Sequence, residues 1–125
     1  MAKKKVFISF DFDNDKELKD TFVGQARLQE SPYSFNDFSL REAYPDDEWF
    51  SKAQKAISKC DRFIVLLGDQ TCKASGVLTE VGIAAGLKKK RFQVKPQRRD
   101  PESIPDAGEV VSWKWKNIAK KLGYL

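Results

Sequence analysis

The chain has 125 residues and no histidine, so a Ser-His or Cys-His nucleophile, a histidine general base and histidine metal ligands are all excluded. Acid–base chemistry must fall to carboxylates, Lys, Tyr or Cys. Among the carboxylates, Glu80 has the most telling surroundings. Val77, Val81 and Ala84 recur around it at helical spacing, soon after the unbroken apolar run Phe63-Ile64-Val65-Leu66-Leu67. If any residue does chemistry here, Glu80 is the first choice; the plainer reading is a glutamate in the first turns of a helix, favoured by the helix dipole. Asp11, Asp13 and Asp15 alternate through one short loop. Carboxylates placed so, just before a helix, usually cap and face solvent, and Asp11 is the strongest of the three for a pocket. Asp37 suits an Asx-type turn as well as a site. Cys72 has no base partner in sequence and reads as a small loop residue rather than a nucleophile. With Cys60 it is also too little for a disulfide framework or a zinc site, so no metal is expected and a reducing cytoplasm is the expected location.

Those residues need elements to hold them. Val6 to Phe10 reads as a strand apolar enough to be central. Asn14, with Glu17 three residues on, makes a capping box for a helix over about residues 15–30. Its core stripe is Leu18, Phe22 and Ala26, flanked by Val23 and Leu28, and Ser31-Pro32 stops it. Tyr33 to Phe38 predicts a second strand with Phe35 and Tyr33 inward. After a polar loop from Ser39 to Tyr44, Pro45 and Asp46-Asp47-Glu48 start a second helix, with acidic groups at the positive end of its dipole. Trp49, Ala53, Ala56, Ile57 and Cys60 line one face of it. A buried strand over 62–68 and a helix over 74–88 follow. Phe92 to Lys95 is a fourth strand ended by Pro96, and the loop 97–109 is expected to be ordered only in part. Val110 to Trp113 and Asn117 to Leu122 give a last strand and helix, and Trp49, Trp113 and Trp115 read as core or rim packing.

This order, with right-handed crossovers, predicts a flavodoxin-like, doubly wound parallel α/β sheet in the order 2-1-3-4-5, formed by a single domain over residues 1–125. Its switch point lies between the first and third strands. Phe10 to Asn14, Phe38-Ser39 and Gly68 to Ser75 would then surround one crevice at the carboxyl ends of the strands.

Hydrophobic residues at 41% and charged residues at 33% describe a soluble globular protein, and no run nears the ~20 apolar residues of a membrane span. Neither a membrane nor a signal peptide is expected. Much of the net charge of +5 is local, with Lys88, Lys89, Lys90, Arg91, Lys95, Arg98 and Arg99 close together. These suit a helix carboxyl end and a solvated edge strand. The aromatics do not interleave with them as a single-strand platform requires, so nucleic acid is not an expected partner.

Taken in order, KVFISFDFDND, FNDFS, I..CDRFIVLLGDQT, V..EV, P.S.P and VVSW resemble the TIR-like proteins of the MTH-type/Thoeris group, small flavodoxin-like relatives of Toll/interleukin-1 receptor domains. The resemblance covers roughly residues 4 to 115. It implies an NAD-consuming enzyme that cleaves the nicotinamide–ribose bond, with NAD as substrate and no cofactor, in some members cyclising the ADP-ribose into a signal of bacterial anti-phage defence. It implies Glu80 as the catalytic glutamate and Phe10 and Asp11 as the pocket wall at the end of the first strand. Asp37 and Ser39 match positions near the substrate, and Thr71, Cys72 and Ser75 the loop facing the nicotinamide ribose. Self-association through TIR-like surfaces and an effector protein are the implied partners. The family's pattern S.WV..E has Trp where this chain has Gly76, and its serine falls one place later, at Ser75. That loss of an aromatic wall favours the alternative, a non-catalytic TIR-like adaptor. A phosphoacceptor receiver domain fits less well, because Asp69 follows Gly68 and Lys95 ends the fourth strand instead of the fifth.

Overall fold

A computed structural model of the chain describes residues 4–29, 31–38 and 46–124. Five strands, β1 (Lys4–Ser9), β2 (Tyr33–Phe38), β3 (Arg62–Leu66), β4 (Arg91–Lys95) and β5 (Glu109–Ser112), form one parallel sheet in the order β2-β1-β3-β4-β5. Helices α1 (Lys16–Arg27), α2 (Asp46–Lys59), α3 (Ser75–Gly86) and α4 (Trp115–Leu122) make the connections and close the chain. A single 3-10 turn, Thr71–Lys73, stands between β3 and α3. The predicted fold class and strand order are those observed.

Strand alternation sorts the core into two faces. Val6, Ile8, Phe10, Ile64, Leu66, Phe92 and Val94 point to the side covered by α1 and α4, where they meet Phe22, Val23, Ile118 and Leu122. Phe7, Phe63, Val65 and Leu67 point to the other side, against Ile57 of α2 and Val77, Val81 and Ala84 of α3. Both faces of β1 and β3 are thus dry, which is why these strands read as apolar runs instead of alternating ones.

The first face is aromatic. Phe22 lies between Trp113 and Trp115, with ring centroids at 5.6 and 5.8 Å, and Phe35 stands edge-on to it at 5.9 Å. The indole nitrogens are satisfied: Trp113 donates to Gln25 at 2.7 Å and Trp115 to the Tyr124 hydroxyl at 2.8 Å. Tyr33 is buried as expected, and its hydroxyl donates to the Leu122 carbonyl at 2.8 Å, tying β2 to the end of α4.

Three local expectations are corrected. The capping box does not form: Asp15 is the N-cap of α1 without a side-chain cap bond, and the Asn14 amide donates instead to Asp11 at 2.7 Å. The helix ends at Arg27, three residues short of the expected limit, and Leu28, expected to flank the core stripe, is 83% exposed. The loop after β4 is held against the sheet. Gln93, buried in the middle of β4, accepts from the Ile104 amide at 2.8 Å and donates to the carbonyls of Ile104 and Gly108 at 3.1 and 2.7 Å. Ile104 and Ala107 are buried beneath it. The Ser39–Tyr44 loop and Pro45 lie outside the described residues.

Candidate active site

At the carboxyl ends of β1 and β3 the chain forms a cleft of about 340 Å3. Phe10 to Asn14 make one wall; Gln70 and Lys73 to Val77 make the other. This is the crevice that the strand order requires at the switch point.

The first wall is a self-bonded loop. Both carboxylate oxygens of Asp11 are used inside it: Oδ1 accepts from the Asp13 amide at 3.2 Å and Oδ2 from the Asn14 side chain at 2.7 Å. The Asp11 carbonyl takes the Asp15 amide at 2.8 Å. Phe10 and Phe12 stack with centroids 5.7 Å apart, while the ammonium groups of Lys19 and Lys16 lie 5.8 and 6.0 Å from their rings. The cleft therefore has an aromatic side and a hydrogen-bonding side.

The second wall is tied to the first through Asp15. The Thr71 hydroxyl accepts the Gly68 amide proton at 2.7 Å and donates to Asp15 Oδ2 at 2.9 Å. Gly68 has to be glycine for this clamp, because a Cβ there would lie 2.2 Å from both Asp15 carboxylate oxygens. Burial pushes the Asp15 carboxyl above its ordinary value, with the Thr71 bond acting against that rise. Thr71 is fully buried and serves the clamp; it does not line the cleft.

Glu80 sits in the second turn of α3 on the face that meets the sheet, and it is 0% exposed. Its Oε1 accepts the hydroxyl of Ser9, the last residue of β1, at 2.6 Å. That distance falls in the range of about 2.5–2.7 Å usual for hydroxyl donation to a carboxylate. Ser9 is also 0% exposed. Gly76 and Val77, which line the cleft, stand four and three residues before Glu80 on the same side of the helix. A helical side chain leans toward the amino end, so the Glu80 carboxylate reaches back beneath these two residues. Gly76 has no side chain to place between them.

Of the residues singled out in the sequence, Phe10, Asp11 and Ser75 come together at the cleft; Glu80 is fully buried one turn of α3 beyond Gly76 and Val77 and does not line it. Cys72 does not join them. It packs against the α2–α3 core, and a hydrogen bond that its thiol donates to Glu102, together with burial, pushes the thiol up, away from nucleophilic use. Asp37 pairs in register with Phe7, but its side chain, like all of Ser39, lies outside the described residues. Gln70 and Lys73 lie in the Gly68–Ser75 stretch expected at the crevice without having been singled out, whereas Ser9 was not anticipated. Ser9 carried one signal, being the lone polar residue of the run Val6 to Phe10.

Among the described residues no group of three or more Cys, Asp or Glu is placed to hold a metal ion, and no helix is long and apolar enough to cross a membrane. No protein-family model matches the chain, and no curated protein matches it in sequence. Among solved structures it is similar to the CMP N-glycosidase BcmB of Clostridium botulinum, at 20% identity and a TM-score of 0.52, over 95% of this chain and 98% of that one. At that identity the likeness is one of fold, and it spans nearly the whole of both chains.

Proposed function

We propose that this chain is a TIR-like N-glycosidase that cleaves the bond between a base and ribose in a nucleotide, with Glu80 as its catalytic carboxylate. The observation that carries this reading is the buried Glu80–Ser9 pair, which joins α3 to the end of β1 next to Phe10, Gly76 and Val77 of the switch-point cleft. A carboxylate and a hydroxyl are both costly to bury, and here they are paired at the end of the sheet where α/β proteins bind ligands. The fold is shared with an enzyme described as a CMP N-glycosidase, which is in keeping with this class of bond.

The chemistry asks little else of the protein. Breaking an N-glycosidic bond develops positive charge on the ribose, and a carboxylate held close to the sugar stabilises it. No histidine is needed. Phe12, half-buried against Phe10, offers a ring to a base or nicotinamide, and Lys73 offers a cation to a phosphate.

NAD is the substrate we propose first, following the motif resemblance. Its nicotinamide is a cationic pyridinium that leaves neutral, so no general acid is required. Cyclisation of the ADP-ribose, a role in anti-phage signalling, self-association and an effector partner belong to the same reading. A second reading, favoured by the structural likeness, is a pyrimidine mononucleotide such as CMP. Its base leaves well only if protonated, and that demands a donor from the cleft.

Incubation with NAD and, separately, with CMP, followed by chromatography of the released base, distinguishes them. Nicotinamide release supports the first reading, and its partner product tells hydrolysis from cyclisation. Cytosine release alone moves the assignment to mononucleotides. Release from neither, at high protein concentration and under crowding, leaves the non-catalytic adaptor as the better account.

A further inference from the structure

We infer that Ser9 is a positioning residue for Glu80: its hydroxyl fixes Oε1 of the carboxylate at the end of β1, so that the group meets the substrate's sugar in one orientation. This rests on the glycosidase reading for its consequence in catalysis, although the contact itself does not.

The placement of Ser9 is unusual within its own strand. β1 is central, flanked by β2 and β3, and its residues from Val6 to Phe10 are buried. In register, Ser9 lies beside Val65, Val65 beside Gln93 and Gln93 beside Val110, giving one row that faces α3. An aliphatic side chain at Ser9 would suit that row and contribute roughly 1.5–3 kcal/mol of burial. Gln93, the other polar member of the row, is accounted for by its three bonds to the 104–108 loop. The Ser9 hydroxyl is directed at Glu80, 71 positions away in the chain. Serine and glutamate each give up apolar burial where the end of β1 meets α3.

Structure alone would not ask for this pair. Replacing both members of a buried polar pair with apolar groups is often neutral or stabilising. Fixing a carboxylate is worth more to a reaction than to a fold, because misplacing a reacting group by about 1 Å can cost about 100-fold in rate. Ser9 does not touch the cleft directly, so its effect on turnover passes through Glu80.

Two measurements test the proposal, one of them independent of activity. In protein labelled with carboxyl-13C glutamate, the Glu80 resonance is assigned by its disappearance in Glu80→Gln. Loss of a hydroxyl that donates to the ionised form moves a carboxyl titration upward. The Glu80 midpoint is therefore expected to rise in Ser9→Ala and to return toward the wild-type value in Ser9→Thr, which keeps a hydroxyl. A midpoint that is the same in wild type and Ser9→Ala overturns the proposal, whatever becomes of the enzyme reading. With the substrate that the wild type cleaves, Ser9→Ala is expected to lower kcat by about 10- to 100-fold with KM little changed, and Ser9→Thr to recover most of it. A rise in KM alone, or equal loss in both variants, would make Ser9 a packing residue and overturn the proposal. If the wild type releases no base while the 13C midpoints shift as expected, the glycosidase reading fails and the Ser9–Glu80 contact stands.

Discussion

The two faces of the sheet are built on different principles. The face under α1 and α4 is apolar and aromatic, with Phe22, Phe35, Trp113 and Trp115 joined by ring contacts, Phe10 in the same core, and polar tips bonded at its rim. The face under α2 and α3, mostly aliphatic apart from the stacked Phe7 and Phe63, carries Ser9, Glu80 and Gln93, all buried and all hydrogen-bonded. One face supplies stability; the other holds a loop in place and a carboxylate behind a cleft. Phe10 joins them, because it belongs to the aromatic cluster and also lines the cleft. Stability and function should therefore respond separately to substitution on the two sides.

The largest effect is expected at the centre of the aromatic face. Phe22→Ala removes three ring contacts from a fully buried site and is expected to cost about 3–5 kcal/mol, read by urea unfolding, while the Glu80–Ser9 geometry is left in place. A loss below about 1 kcal/mol would mean the face is loosely packed. Gly68→Ala should follow, at about 1–3 kcal/mol, because its Cβ collides with the Asp15 carboxylate. Adding Asp15→Ala should recover part of that loss, since the colliding oxygens are gone. If the double variant is simply the sum of the two single ones, the clash is not the cause.

On the polar face the expected pattern reverses. Ser9→Ala combined with Glu80→Leu should be at least as stable as wild type, to within about 1 kcal/mol, while base release is abolished. A strongly destabilised double variant would make the pair structural. The smallest effect is a pH dependence. The Asp15 carboxyl is raised above 3.8 mainly by burial, so between 3.8 and its raised value the folded state holds more protons than the unfolded one. Its contribution to stability thus declines as pH rises through that window. In urea unfolding across the same window, Asp15→Asn should gain on the wild type as pH increases. A constant difference would contradict the burial of a charged Asp15.

Much of this was legible in the residues, and what was missed shares a physical cause. Apolar runs, helical periodicity and the connection order are local signals, and they place Phe63 to Leu67 centrally and give the strand order observed. Glu80 was legible as a glutamate between core residues of one helix. Its partner was not, because the Ser9 contact closes over 71 positions and no local pattern encodes it. Thr71 illustrates the same limit: its hydroxyl is taken by Asp15, 56 positions away, so it stabilises the wall it was expected to line. The capping box failed because α1 begins one residue too late for it: Asp15 is the N-cap, and the Asn14 side chain stays in the loop, donating to Asp11. Leu28, the helical C-cap of α1, stands six residues after Phe22 and so on the far side of the helix, which is why it is exposed.

The central claim is that Glu80 performs the chemistry without holding up the fold. Glu80→Gln is the most direct test, because the amide keeps the shape of the side chain and its oxygen can still accept the Ser9 hydroxyl. Base release from NAD and CMP should be followed for wild type and variant at equal concentration, with unfolding curves taken on the same samples. The account predicts closely similar unfolding midpoints, and release by the wild type that falls to background in the variant. A Gln variant that folds as well as wild type and releases base at the same rate would contradict it.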